Sequence, residues 1–143
     1  MELLKWDDEK MGLGIKKIDE QHKELLNIIN QLSYSINKNS QKKDILTIID
    51  KIIDYVEYHF NMEEKLFDQF QYEESQKHKN DHIQFSKKFA AIKNKITTDK
   101  AYLNMSAIDI AEDIFIYMIN WFINHITGSD RKYASLLKKH DIE

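Results

Sequence analysis

From Asp19 onward apolar residues recur at three- and four-residue intervals, the period of a helix with one buried face. His22, Leu25, Ile29, Leu32 and Ile36 form the first stripe, with Lys23, Glu24, Asn27 and Asn30 lying off it. A polar connection at 37–41 interrupts the pattern. A second stripe of Ile45, Ile49, Ile52, Val56, His59 and Glu63 predicts a helix from Lys42 to about Phe70. A turn is expected at Gln71-Tyr72-Glu73, although no glycine or proline marks it. The third stripe carries His78, His82, Phe85, Phe89, Ile92 and Ile96, and a loop follows from Thr97 to Met105. Ser106-Ala107-Ile108-Asp109 has the spacing of a capping box and starts a fourth helix. Its stripe is Ala111, Ile114 or Phe115, Met118, Trp121 or Phe122, and His125. Gly128 is expected to end that helix, and Asp130 to Lys139 to form a short terminal one.

Residues 1–18 read as an irregular arm whose Trp6, Leu13, Ile15 and Ile18 can pack on the body. Four helices of roughly 20 residues, each about 30 Å long, on short connections imply antiparallel neighbours. The expectation is an all-α, up-down-up-down four-helix bundle, one domain over residues 1–143, with an irregular N-terminal arm and a short C-terminal helix. Helix breakers fit this: proline is absent and the three glycines stand at 12, 14 and 128.

Composition narrows the chemistry. The chain has no cysteine, which excludes disulfides, thiolate zinc sites and cysteine-ligated clusters. Any metal must be held by nitrogen and oxygen. A net charge of -3 gives no reason to expect nucleic acid or an anionic membrane as partner. No apolar run is long enough to cross a bilayer, and the stretch from Met1 to Glu9 lacks the apolar core of a secretory signal, so a cytoplasmic protein is expected.

Every predicted helix puts a histidine on its apolar stripe: His22, His59, His78 with His82, and His125. His140 lies in a charged tail. One such histidine is ordinarily a hydrogen-bonded core residue. Here His22 is early in its helix, His59 late, His78 and His82 early, and His125 late, so antiparallel packing brings all five to one end of the bundle. Glu63, one turn after His59, and Asp130, just beyond Gly128, join them. Burying these groups without a cation costs about 1–3 kcal/mol for each unpaired polar atom. Seven ligands are too many for one tetrahedral zinc and suit two ions about 3.5–4 Å apart bridged by carboxylates. Imidazole with carboxylate suits iron.

The motifs resemble those of bacterial hemerythrins along nearly the whole chain. They are Trp6, Ile18-Asp19-Glu20-Gln21-His22-Lys23, His59-Phe60-x-x-Glu63-Glu64, Tyr72, His78-x-x-x-His82-x-x-Phe85, and Trp121-x-x-x-His125-Ile126-x-x-x-Asp130. The resemblance implies one iron on His78, His82 and His125, a second on His22 and His59, and bridging by Glu63, Asp130 and an oxo or hydroxo group. It implies reversible dioxygen binding at the open position of the two-histidine iron, behind an apolar wall for which Leu25, Phe60, Phe122 and Ile126 are candidates. Three positions depart from the family's pattern: Phe122 stands where leucine is usual, Phe67 where methionine is frequent, and Glu73 where proline is common. The reading is therefore an oxygen-binding di-iron protein, not an enzyme, and a monomer. Its rivals are a di-iron peroxidase or nitric oxide-reducing enzyme, and an oxygen or redox sensor acting through a partner. Phe85, Phe89, Phe115 and Trp121 read as core, and Glu64 as solvated.

Overall fold

The computed structural model describes residues 3–38 and 40–140. The signal-peptide reading at Met1 and Glu2 and the middle of the first polar connection, Asn39, lie outside them. The described residues form helices α1 (Asp8–Met11), α2 (Lys16–Asn37), α3 (Lys42–Gln69), α4 (Ser75–Thr98), α5 (Lys100–Leu103) and α6 (Ala107–Asn124). A π-helical segment, His125–Asp130, joins α6 to α7 (Arg131–Lys139). Short connections fold the long helices α2, α3, α4 and α6 back on one another as a bundle. Within it α2 packs on both α3 and α6, and α4 packs on α3. None of the described helices is long and apolar enough to cross a membrane.

Away from the histidines the core is mostly aliphatic: Ile29, Leu32, Ile45, Ile49, Ile52, Ile110, Ala111 and Met118 are buried, together with Phe89 and Phe115. Each large aliphatic side chain contributes about 1.5–3 kcal/mol on burial, which sets the helices' relative rotation. At the start of α6 the Ser106 hydroxyl accepts from the Asp109 amide at 3.1 Å, as its spacing predicts. Gln41 and Asp44 form a reciprocal capping box at the start of α3. The turn before α4 is closed without glycine: Gln71 takes a left-handed φ of 52°, and the Tyr72 amide bonds the Phe67 carbonyl at 3.0 Å.

Four expectations need correction. The first helix begins at Lys16, not Asp19, because Asp19 caps the arm instead, accepting from the Leu13 and Gly14 amides at 2.9 and 3.2 Å. Gly14 there has a φ of +79°, which an L side chain rarely adopts. Asn30 is buried: its amide bonds the Leu4 backbone in both directions, at 3.2 and 2.9 Å, and pins the arm to α2. The loop after α4 contains the turn α5, capped by Asp99. Most consequentially, Gly128 does not end the fourth helix. Residues 125–130 widen into a π turn and the chain continues directly into α7.

Candidate metal centre

Five imidazoles and two carboxylates meet at the end of the bundle where α2 and α4 begin and α3 and α6 finish. His22, His59, Glu63, His78, His82, His125 and Asp130 are all at most 7% exposed. The i, i+4 pairs His59/Glu63 on α3 and His78/His82 on α4 supply two walls, since such residues stack on one helix face. His22 comes from the first turns of α2. His125 and Asp130 are five residues apart, which an α-helix would place about 140° from each other around its axis. The π segment brings them onto one face, with His125 Nε2 3.0 Å from Asp130 Oδ1. A wide turn of this kind is typically found at functional sites. The sequence signal was the spacing of five between two inward-facing ligands.

The seven residues form two groups whose ligand atoms lie within 4.8 Å of one another: Glu63, His78, His82 and His125, and His22, His59, Glu63 and Asp130. Each carboxylate turns one oxygen to each histidine set. Asp130 Oδ1 is 3.0 Å from both His78 and His125, while Oδ2 is 3.0 Å from His22. Glu63 Oε1 touches His59 Nε2, and Oε2 lies 3.5 and 3.8 Å from His78 and His82. His22 and His59 bring their Nε2 atoms to 3.0 Å of each other.

These approaches leave the groups short of satisfaction. Nε2 of His78 and His125, both ring nitrogens of His82, His22 Nδ1 and all four carboxylate oxygens are buried without a hydrogen-bond partner. Acceptors and lone pairs gathered so closely and so dry fit a cation and little else. With only imidazole and carboxylate donors, the set suits iron.

Electrostatics points the same way. Burial drives His59 down to about 4, and burial with the neighbouring His125 and His78 drives His82 down to about 2. Both rings are therefore neutral at physiological pH, the form that ligates a metal. Burial, reinforced by Asp130, pushes Glu63 up. For Asp130 the upward push of burial is overcome by His125, and its carboxyl lies well below the usual range. His125 is raised in turn, because Asp130 outweighs burial.

The surrounding residues sort themselves by side. Phe122 is fully buried and meets the His22 ring edge-on at 6.3 Å. Phe60 lies between the two sets, stacked on His82 at 3.7 Å and 6° and with its ring 6.3 Å from that of His59. Trp121 lies flat on His125 at 4.8 Å. Leu25 and Ile126 are buried in the common core. Glu64 is half-buried, not fully solvated, with an oxygen 4.0 Å from His82 Nδ1. His140 is exposed, as expected. Two neighbours escaped the sequence reading. Gln21 is buried and accepts from His59 Nδ1 at 2.7 Å. Tyr133 of α7 is fully buried with its ring 5.4 Å from His78, and its hydroxyl is pushed well up by burial and by Glu63 and Asp130.

Residues 13–137 match the family model described as the hemerythrin HHE cation binding domain. The chain is 30% identical over 140 residues to a bacteriohemerythrin of Stenotrophomonas maltophilia, covering 98% of this chain and 85% of that protein. It is 32% identical over 137 residues to a bacteriohemerythrin of Clostridium acetobutylicum, covering 90% and 96%. Among solved structures it superposes on a leucine-to-phenylalanine mutant with TM-score 0.81 at 26% identity, covering 96% of this chain and 98% of that one. A leucine-to-alanine mutant of a hemerythrin gives TM-score 0.82 at 25% identity, with the same coverage.

Proposed function

The chain belongs to the hemerythrin family, and from that premise we propose that it is a non-haem di-iron protein that binds dioxygen reversibly and is not an enzyme. The observation that carries this reading is the double-facing pair of carboxylates. Glu63 and Asp130 each offer one oxygen to a three-histidine set and the other to a two-histidine set. His78, His82 and His125 would hold one iron, His22 and His59 the other, and Glu63 and Asp130 would bridge. The two-histidine set, having fewer protein ligands, would be the one to leave room for dioxygen. Two ferrous ions held there would supply the pair of electrons that reversible dioxygen uptake requires.

The chain's own residues supply the rest. Phe122 closes the His22 side with a buried ring and keeps water from that half, while Phe60 shields the three-histidine half through His82. The imidazoles of His59 and His82, held neutral by burial, offer lone pairs to a cation and do not bind protons at physiological pH. Apoprotein loaded anaerobically with ferrous iron should retain two irons per chain and change colour on exposure to air, reversing when oxygen is removed. Retention of one metal per chain, a preference for zinc, or sustained consumption of dioxygen or peroxide would refute the reading.

A further inference from the structure

His59 reaches the centre with Nε2 and turns Nδ1 to Gln21, whose Oε1 accepts from it at 2.7 Å with both side chains buried. An amide oxygen can only accept, so Nδ1 carries the proton and Nε2 keeps its lone pair for the centre. Gln21 precedes His22 on α2, so one helical turn delivers a ligand of the two-histidine set and orients the other. His22 and His82 differ. His22 Nδ1 is buried without a partner, and His82 Nδ1 has the Glu64 carboxylate at 4.0 Å, beyond a hydrogen bond.

We propose that Gln21 is a positioning residue of this centre: a neutral acceptor that locks His59 in its Nδ1–H tautomer and holds its donor strength below that which a carboxylate partner would confer. The proposal rests on the di-iron reading above. Partners on the far nitrogen of a ligating histidine fix ring orientation and basicity, and their loss typically reduces metal affinity about 10–100-fold. A cleft between α2 and α3, about 400 Å³ and lined by Lys17, Glu20, Tyr55 and Tyr58, reaches Gln21, so a substitution there is not forced into closed core.

The test compares wild-type, Gln21→Leu and Gln21→Glu chains. Ferrous iron is titrated anaerobically against a competing chelator, the apoprotein imidazoles are followed by ¹⁵N NMR, and circular dichroism monitors folding. Gln21→Leu, folded, should lose about 10–100-fold in affinity and lose the Nδ1–H signature of His59. Gln21→Glu should keep that signature and bind at least as tightly as wild type. Wild-type affinity in Gln21→Leu, or an equal loss in Gln21→Glu, overturns the proposal. Should Gln21→Leu not fold, Gln21→Met makes the same comparison. A wild-type chain that takes up fewer than two irons refutes the di-iron reading itself.

Discussion

Nine polar atoms of the centre are buried without a hydrogen-bond partner, the ten such atoms among the described residues less the Tyr133 hydroxyl. An unsatisfied buried donor or acceptor opposes folding by about 1–3 kcal/mol, so even the lower bound gives about 9 kcal/mol for the nine. Water admitted to the stripped centre offsets part of this, and about 5 kcal/mol is the working figure. A chain of 143 residues has about 7–20 kcal/mol in all. At about 4 °C per kcal/mol, the melting temperature should fall by about 20 °C on chelation. Thermal unfolding followed by circular dichroism, with and without chelator, measures this, and two equivalents of ferrous iron under nitrogen should restore it. Hydrogen exchange should place the loss in the second half of α3 and in residues 125–139, the segments that carry Glu63, His125 and Asp130. An apoprotein melting within about 5 °C of the loaded one would show that the centre is satisfied without a cation.

Phe122→Leu removes three buried ring carbons beside His22, a loss of about 2 kcal/mol at about 0.8 kcal/mol per carbon, readable by urea unfolding. In the same variant, azide should reach the oxidised, iron-loaded centre several-fold faster; an unchanged rate removes Phe122 from the wall. The apoprotein should be most stable near pH 6.5. Below that pH the unfolded chain protonates His59 and His82 while the folded chain does not, so stability is lost as pH falls from 6.5 toward 4. The raised Glu63 acts in the opposite sense above 4.5 but is one group against two until pH 6.5; beyond it, Glu63 and the raised His125 make stability fall as pH rises. Denaturation midpoints across pH 4.5–8.5 check this, and a monotonic profile contradicts it. Gly128→Ala should stabilise the fold by about 0.4–1 kcal/mol, because the added carbon meets nothing within 4 Å and no left-handed φ is required.

Helical periodicity made most of the bundle legible, because each long helix buries one stripe and the stripes of α2, α3, α4 and α6 carry the histidines. The level of the site was legible for the same reason: short connections force antiparallel neighbours, and early or late position in a helix then fixes height. What stayed hidden was what periodicity does not encode. Asn30 and Gln21 are polar residues whose burial is licensed only by partners distant in sequence, Leu4 and His59. Phe60 lies one turn before Glu63 on α3, so period alone aims it at the centre, but its stacking on His82 of α4 is a contact between helices that period does not encode.

The π turn is where local and global signals conflicted, and the resolution explains how the centre closes. Glycine at 128 weakens an α-helix by about 1 kcal/mol relative to alanine, a reasonable stop signal when taken alone. Yet His125 and Asp130 must both face inward, and α7 must continue far enough to bury Tyr133 and Leu137 against the core. Ending the helix at Gly128 would satisfy neither demand. One wide turn satisfies both, because it takes up the extra residue between the two ligands and leads directly into α7. Asp130 then reaches across to His22 on α2 and His78 on α4 as well as to His125. The last ligand in the chain therefore ties α2 to α4, helices that both pack on α3. On this argument a bound cation does more than occupy the end of the bundle. It cross-links the four long helices at one level, which is why its removal should loosen the segment after Asn124 first.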